Sequence, residues 1–507
     1  MHRQGREAEP ISGSAAGHEQ PPGADGPVRS GTHHPAWLVA RFPAPLTWVP
    51  LALVALLVHL PSFLRPFWNP DEGYLATEAR MLAHGGTLYV DVVDRKPPLL
   101  PWLYQGAFAL LGSDSLWPLR VLAVLACLAT ALFTAAVARR RWGGAAGTVA
   151  GLFTVLLSVA LAPEDTQAAT FEVFMLPATA AAFWCADRKR WAGAGLAAAL
   201  AAMVKQTGGV VLLPALYLLW RDDRRPGAVL RLLAGFVVPV AALALLTGPR
   251  DFLFWVVSGS GDYASLDGAW ATALGRAAGN AGIMLAAAVP ALVLLARHLR
   301  VSLREDADVW LWLAGSAVGV AVGFHFFGHY YLQLVPPLAL LCAGALHRTA
   351  EPRRARFALA WTAVAAAVFV ALGLTASTQP VTRVRTVAQA VDADTSAGQR
   401  VLVWGMHPEI YWLADRAPAS RYLTAGLLTN FAGGRGGKGV GVQKAVAGSW
   451  TTFEREVEEH PPALVVDDSQ GAPYAPAAVP PIRDLLAARY ERVGTSGGAV
   501  IYRLRGR

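Results

Sequence analysis

Two short stretches of this chain hold residue types that can move a proton and hold an anion. One is Asn69-Pro70-Asp71-Glu72-Gly73-Tyr74; the other is Asp94-Arg95-Lys96-Pro97-Pro98-Leu99. A positioned carboxylate can serve as a general base, worth about 10²–10⁴-fold in rate. Lysine and arginine can stabilise an anion electrostatically. Both stretches follow the first long apolar run, at the edge of what reads as membrane. An Asp or Lys at mid-bilayer costs roughly 2.5–3.5 kcal/mol on insertion scales. Charges gathered between apolar segments therefore mark a site, unless they stand in open water.

The elements that must position them come from composition and pattern. The chain has 507 residues, 54% hydrophobic and 16% charged, with a positive mean hydropathy. These values exclude an ordinary soluble domain and indicate a polytopic membrane protein. The net charge of +9 does not indicate nucleic acid, and no such partner is expected. Most arginines stand in short clusters between apolar runs, where they set topology. Cys127, Cys185 and Cys342 all fall inside apolar runs, which argues against disulfides and thiolate metal sites. Residues 1–44 are rich in Gly, Pro, Ser and His without an apolar core. They read as a disordered tail, not a signal peptide, with His33-His34 solvated.

A bilayer span needs about twenty apolar residues. Eleven stretches qualify or come close: 46–64, 115–138, 145–162, 168–186, 191–204, 208–220, 229–246, 277–296, 310–323, 330–346 and 357–374. The fifth and sixth are short enough to meet inside the membrane. Arg139-Arg140-Arg141, Arg188-Lys189-Arg190, Arg221 with Arg224-Arg225, Arg297 with Arg300, and Arg348 with Arg353-Arg354 fall at every second connection. The positive-inside rule makes these connections, and the amino terminus, cytoplasmic. Asp71, Glu72, Asp94, Lys96, Glu164, Asp165, Glu172, Lys205, His325 and His329 then all belong to the outer face. The expected localisation is the plasma (inner) membrane.

Segment 71–84 reads as a short surface helix. Asn69 caps it, Pro70 suits its first turn and Gly85-Gly86 stops it. Segment 99–111 is too short to cross and reads as a second surface or re-entrant helix. The loop 247–276 carries Asp251, Asp262, Asp267, Trp255, Tyr263 and Trp270, a lid or an interfacial belt. After 374 the composition changes. Strands are predicted at 401–404, 463–466 and 499–503, and a helix at 481–490. The glycine-rich 433–441, with Arg435 and Lys438, reads as a flexible loop. The expected fold is an α-helical polytopic membrane domain (45–374) with outer juxtamembrane helices, plus a small extracytoplasmic α/β domain (375–507).

The ordered motifs resemble the C-type (GT-C) membrane glycosyltransferases. The nearest branch is that of the protein O-mannosyltransferases and aminoarabinose transferases. The resemblance rests on Asp71-Glu72, Asp94-Arg95-Lys96-Pro97-Pro98-Leu99, Glu172-Val173-Phe174-Met175, Val204-Lys205-Gln206-Thr207, and His329-Tyr330-Tyr331-Leu332 with Pro336-Pro337. It covers roughly 46–374. It implies transfer of a sugar from a polyprenyl-phosphate carrier to a hydroxyl of a lipid, glycan or protein acceptor, with inversion. The chain departs from the pattern at Arg95, where some relatives carry an acid. That leaves Asp94 as the nearest acid to Lys96.

Such transfer needs a base, a cation for the departing phosphate, and exclusion of water. Asp71 is the candidate base, with Glu72 orienting it. The competing reading is two first-turn acids favoured by the helix dipole, at about 0.3–1 kcal/mol each, with Glu72 completing a capping box. Lys96, with Arg95 and Lys205, is the candidate phosphate ligand; the alternative for both lysines is interfacial anchoring. Asp94, Glu172, His329 and Tyr330 are candidate substrate contacts, while Glu164 and Asp165 read as solvated loop. The tyrosines also suit an interfacial belt. His325 and His329, spaced i, i+4, share one face if the span end is helical. With a carboxylate such as Glu172 or Asp94 they form one candidate divalent-metal site; otherwise they bond backbone or substrate. A rival reading is a lipid-linked sugar carrier or flippase, which would show symmetry between halves and polar groups on both faces. Another is a non-catalytic envelope assembly protein whose acids are dispensable.

Overall fold

The computed structural model describes residues 48–259, 263 and 267–506. The tail at 1–44, with His33-His34, and Asp262 of the 247–276 loop lie outside the described residues.

Every apolar stretch is helical. α1 (Trp48–Val58) runs into a 3-10 turn at Leu60–Leu64. α2 (Pro70–Ala83) and α3 (Leu99–Leu111) are the two helices expected in the first long connection. α4 (Trp117–Trp142) and α5 (Gly144–Leu157) form a tight pair, followed by the single turn α6 (Pro163–Thr166). Next come α7 (Phe171–Asp187) and α8 (Trp191–Val204), then a 3-10 segment, Gln206–Val211, leading into α9 (Leu212–Asp222). α10 (Pro226–Leu246) and the short α11 (Pro249–Phe252) lead to a π turn at Leu253–Ser258. α12 (Trp270–Arg297), α13 (Leu299–Glu305) and α14 (Ala307–Ala321) precede a 3-10 segment at Gly328–Leu334. α15 (Val335–Thr349) and α16 (Pro352–Thr375) complete the bundle.

Among the described residues, five helical runs are long and apolar enough to cross a membrane: Trp117–Trp142, Pro226–Leu246, Trp270–Arg297, Gly328–Thr349 and Pro352–Ala393. The others are shorter. At 14 residues, α8 spans only about 21 Å at 1.5 Å per residue. Its 3-10 continuation beyond Lys205 is the meeting of short helices that the sequence predicts. Irregular backbone at membrane depth is tolerated where protein buries it or a cavity lies beside it. The run Gly328–Thr349 is buried along nearly its whole length, whereas Pro226–Leu246 is almost wholly uncovered by protein. The first is the centre of the bundle and the second its rim.

One end of the bundle is closed by arginines. Arg141 pairs with the buried Asp308 and, at 3.0 Å, with Asp187; Arg348 reaches Asp306 at 2.8 Å. These arginines do more than set topology: they join helix ends. Arg120 stands at the opposite end of α4 from Arg141, and the acids of interest gather at that end.

The remaining chain builds α17 (Gln379–Ala393), α18 (Glu409–Ala414), α19 (Ala425–Thr429), α20 (Ser449–Glu459), α21 (Pro480–Arg489) and a four-stranded sheet. The strands are β1 (Val401–Trp404), β2 (Leu464–Asp467), β3 (Tyr490–Ser496) and β4 (Ala499–Leu504), in the order β1-β2-β4-β3. β1 and β2 are parallel, with Val401 opposite Leu464; β4 runs antiparallel to β2 and β3. β3 is the strand that the sequence pattern misses. It is an edge strand, mostly exposed beyond Tyr490 and irregular between Arg492 and Gly494, so no apolar alternation marks it.

α18 lies directly on α2. Arg80 donates to the Trp412 carbonyl at 2.8 Å and pairs with Asp415 at 2.7 Å. Thr77 Oγ1 donates to the Pro408 carbonyl at 3.0 Å. Gly73 is what allows the approach: a Cβ there would stand 2.3 Å from that of Glu409. The glycine-rich loop is also fixed to the bundle. Arg435 is fully buried and donates to the carbonyls of Asn430 and Tyr263, each at 3.0 Å. The sequence pattern, which reads this stretch as a flexible loop, gives no sign of that anchoring.

Candidate active site

The acids and bases at this end of the bundle surround a cavity of about 590 Å³. α2 supplies Asp71 and Tyr74. The connection between α2 and α3 supplies Asp94, Arg95 and Lys96, and the break after α8 supplies Lys205, Gln206 and Thr207. Phe327 and Tyr330 form one wall. Met406, Leu427 and Phe431, from the last part of the chain, form another. A largely apolar pocket with a few convergent charges is the usual form of a ligand site.

Asp71 and Glu72 are neighbours with opposite surroundings. Asp71 lines the cavity with its side chain 48% exposed. Glu72 is fully buried and turns away from it. Its carboxylate accepts from Trp68 N (2.7 Å), Ala169 N (2.6 Å) and Arg120 Nη2 (2.8 Å). Asn69 caps the helix as expected, accepting from Glu72 N at 3.3 Å. Glu72 thus holds the start of α2 in place; it is not in reach of the cavity.

His329 stands beside Asp71. Its Nδ1 is 2.7 Å from Asp165 Oδ1, and its Nε2 is 3.9 Å from Asp71 Oδ2. Asp165, expected to be solvated, is instead the group that orients this ring. With Nδ1–H donating to Asp165, Nε2 faces Asp71. The pattern hid Asp165 because its partner is 164 residues away.

Lys96 makes no ion pair and no side-chain hydrogen bond among the described residues; its ammonium sits 5.0 Å from the centre of the Phe171 ring. Burial works against its charge, but Asp94, Tyr263 and Asp71 outweigh that and hold it above the ordinary lysine range. Two phenols hold the backbone of the connection that carries it. Tyr74 donates to the Val93 carbonyl at 2.9 Å and Tyr89 to the Lys96 carbonyl at 2.8 Å. Asp94 accepts from Arg95 N at 2.6 Å, and the Arg95 guanidinium lies 4.9 Å from the centre of the Tyr263 ring. Lys205, by contrast, is bound in an ion pair with Glu172 and lies 3.9 Å from the centre of the Tyr330 ring.

The residues expected to hold a divalent ion do not fit one. Glu172 is taken by Lys205 and His329 by Asp165. Phe324 and Phe326 have positive φ, 52° and 51°, so 324–327 is not helical and the two histidines do not share one helix. The Phe327 ring lies between the two imidazoles, 5.8 Å from His325 and 5.6 Å from His329. Burial, then Arg435 and Arg276, push His325 down to about 4. Among the described residues, no three His, Cys, Asp or Glu side chains are grouped to hold a metal. Gly433, at φ +60°, passes so close to His325 that a Cβ would fall 2.4 Å from its Nδ1.

Residues 95–247 match the family model described as dolichyl-phosphate-mannose-protein mannosyltransferase. The segment includes Arg95, Lys96, Glu172 and Lys205. No curated protein matches in sequence. The fold is similar to that of ArnT from Cupriavidus metallidurans in the apo state, with 17% identity and a TM-score of 0.63, covering 90% of this chain and 98% of that one. It is similar also to the same protein bound to undecaprenyl phosphate, with 15% identity and a TM-score of 0.60, covering 90% and 97%. A more distant likeness is to the archaeal oligosaccharyltransferase AglB from Archaeoglobus fulgidus, in complex with an inhibitory peptide and a dolichol-phosphate. There the identity is 14% and the TM-score 0.51, covering 84% of this chain and 69% of that one. The chain thus has an ArnT-like fold along most of its length, and within it a segment of 153 residues similar to the mannosyltransferase family model.

Proposed function

We propose that this protein transfers a sugar from a polyprenyl-phosphate donor to a hydroxyl acceptor at the outer face of the plasma membrane, with inversion and with Asp71 as base. The observation that carries the reading is that Asp71 and the unpaired Lys96 line one cavity. The similarity in fold to a protein bound to undecaprenyl phosphate supports a polyprenyl-phosphate ligand.

Lys96, with Arg95 beside it, binds the donor phosphate. The acceptor hydroxyl approaches the anomeric carbon from the side of Asp71. Its oxygen forms the new bond as the sugar–phosphate bond breaks, and the phosphate leaves with the electron pair. The hydroxyl proton passes to Asp71, with His329 and Asp165 behind it. The apolar wall of Met406, Leu427 and Phe431 keeps water from the oxocarbenium-like centre. Membranes given a labelled polyprenyl-phosphate sugar test the base. Asp71→Asn should lower transfer by at least about 10²-fold with expression unchanged. Full transfer by that variant would reject the assignment.

A further inference from the structure

α2 presents Asp71, Tyr74 and Glu78 at i, i+3 and i+7, which is one helical face. Asp71 and Tyr74 line the cavity, and the Tyr74 hydroxyl reaches the Val93 carbonyl at 2.9 Å. Glu78 lies one turn further along, behind the lining. It is fully buried, and among the described residues neither carboxyl oxygen has a hydrogen-bond partner. Glu72, equally buried, has two backbone donors and a guanidinium. The two glutamates are therefore built for opposite charge states. A carboxylate with no partner in a dry site takes up a proton instead of bearing its charge.

The charged groups that act on Glu78 are Asp94 and Lys96 of the facing connection and Asp71 of its own helix; Tyr74 and Tyr89 are the nearby phenols. Burial, then the Asp94 charge, push the Glu78 carboxyl well above the usual range against the pull of Lys96. The connection that would receive the phosphate carries Asp94, Arg95 and Lys96, a formal charge of one positive unit with Asp94 ionised, although burial raises the Asp94 carboxyl too. An ionised Glu78 would cancel that unit.

We propose that Glu78 is a positioning residue of the donor site: a neutral carboxyl beneath Asp94 and Lys96 that keeps the phosphate-receiving connection net positive. The inference rests on the donor-phosphate reading above. It makes donor binding weaken as pH rises, because the proton on Glu78 is then lost.

The test uses the full chain in lipid nanodiscs, with undecaprenyl phosphate as the probe. Titrations run from about pH 7.5, where a phosphate monoester has passed its second ionisation near 6, to about pH 9.5, below the ordinary lysine value of about 10.4. Wild-type affinity should fall by about tenfold or more across the range, the scale of one unit charge a few ångströms away at an effective dielectric constant of about 20. Glu78→Gln should bind with a flat profile, as should the apolar Glu78→Met if Glu78→Gln does not fold. A role in packing alone would move affinity equally at every pH. A flat wild-type profile, or parallel profiles for wild type and a folded variant, overturns the inference while leaving the donor site standing. No binding by wild type at any pH overturns both.

Discussion

Lys96 and Lys205 border one cavity but live under different rules. Lys205 is fastened to Glu172 and stacked on Tyr330, so its charge is spent inside the protein. Lys96 has its backbone held by Tyr89 and, among the described residues, its ammonium has no carboxylate within ion-pair distance. A buried cation held by a carboxylate is a structural element. A cation whose stem is fixed and whose head is unpaired is reserved for something that arrives. The same division separates Glu72 from Asp71, one turned into the scaffold and the other toward the cavity. Residue type alone draws neither line.

Breaking the structural pair should give the largest effect on stability. Glu172→Ala leaves the Lys205 ammonium buried and alone, which costs about 3–5 kcal/mol for pairs of this kind. Thermal unfolding in detergent should show that loss, and Lys205→Ala should show a similar one. Glu172→Met with Lys205→Met together should recover much of it, because an apolar pair replaces a desolvated ionic one. If Lys205→Ala unfolds like wild type and loses only donor use, the roles of the two lysines are reversed.

Lys96→Ala is the complement. Tm should stay near wild type, and the donor KM should rise by about 10–100-fold, the range for a charge-assisted hydrogen bond of about 1.5–3 kcal/mol. Unchanged donor kinetics would remove Lys96 from the phosphate site. Lys96→Arg keeps charge but not shape, so partial recovery is expected.

What was legible in the sequence follows the range of each interaction. The start of α2 was legible because Asn69 and Pro70 act on backbone a few residues away. The cavity cations stood out because charge next to apolar runs is conspicuous at any distance. Asp165, Arg120 and Glu78 were not legible. Asp165 and Arg120 act through partners far along the chain, and Glu78 looks like an ordinary polar residue on a surface helix although it is fully buried. The relative placement of His325 and His329 was not legible, because i, i+4 spacing means one face only in a helix, and positive φ at Phe324 and Phe326 interrupts it. The roof formed by Met406, Leu427 and Phe431 depends on packing between the sheet domain and the bundle, which no local pattern encodes.

That packing suggests a smaller break. Gly73→Ala drives a methyl group into Glu409 at the junction of α2 and α18. Overpacking of this kind costs about 1–3 kcal/mol. Because α2 also carries Asp71, transfer should fall together with stability. A stable Gly73→Ala protein with normal transfer would mean that the roof can shift without disturbing the cavity.

The smallest expected effect extends the comparison to a third buried acid. Glu409 is as buried as Glu172, but its partner is His407, at 2.8 Å, whose other ring nitrogen lies 3.9 Å from Asp468 Oδ2. Lys205 is a lasting partner near neutral pH, whereas histidine is one only while protonated. Burial opposes the imidazolium, but Glu409 and then Asp468 outweigh it and raise His407 above its ordinary value. The sign follows from linkage. A histidine raised in the folded state adds stability in full below its unfolded value of about 6.5. That stability is lost as pH rises through the folded value. The Tm gap between wild type and His407→Asn should therefore be widest in acid and close toward alkaline pH, while the gap for Glu172→Ala stays open throughout. A His407→Asn gap that is constant with pH would make His407 a hydrogen-bonding residue only, and the junction a joint as fixed as the Lys205 pair.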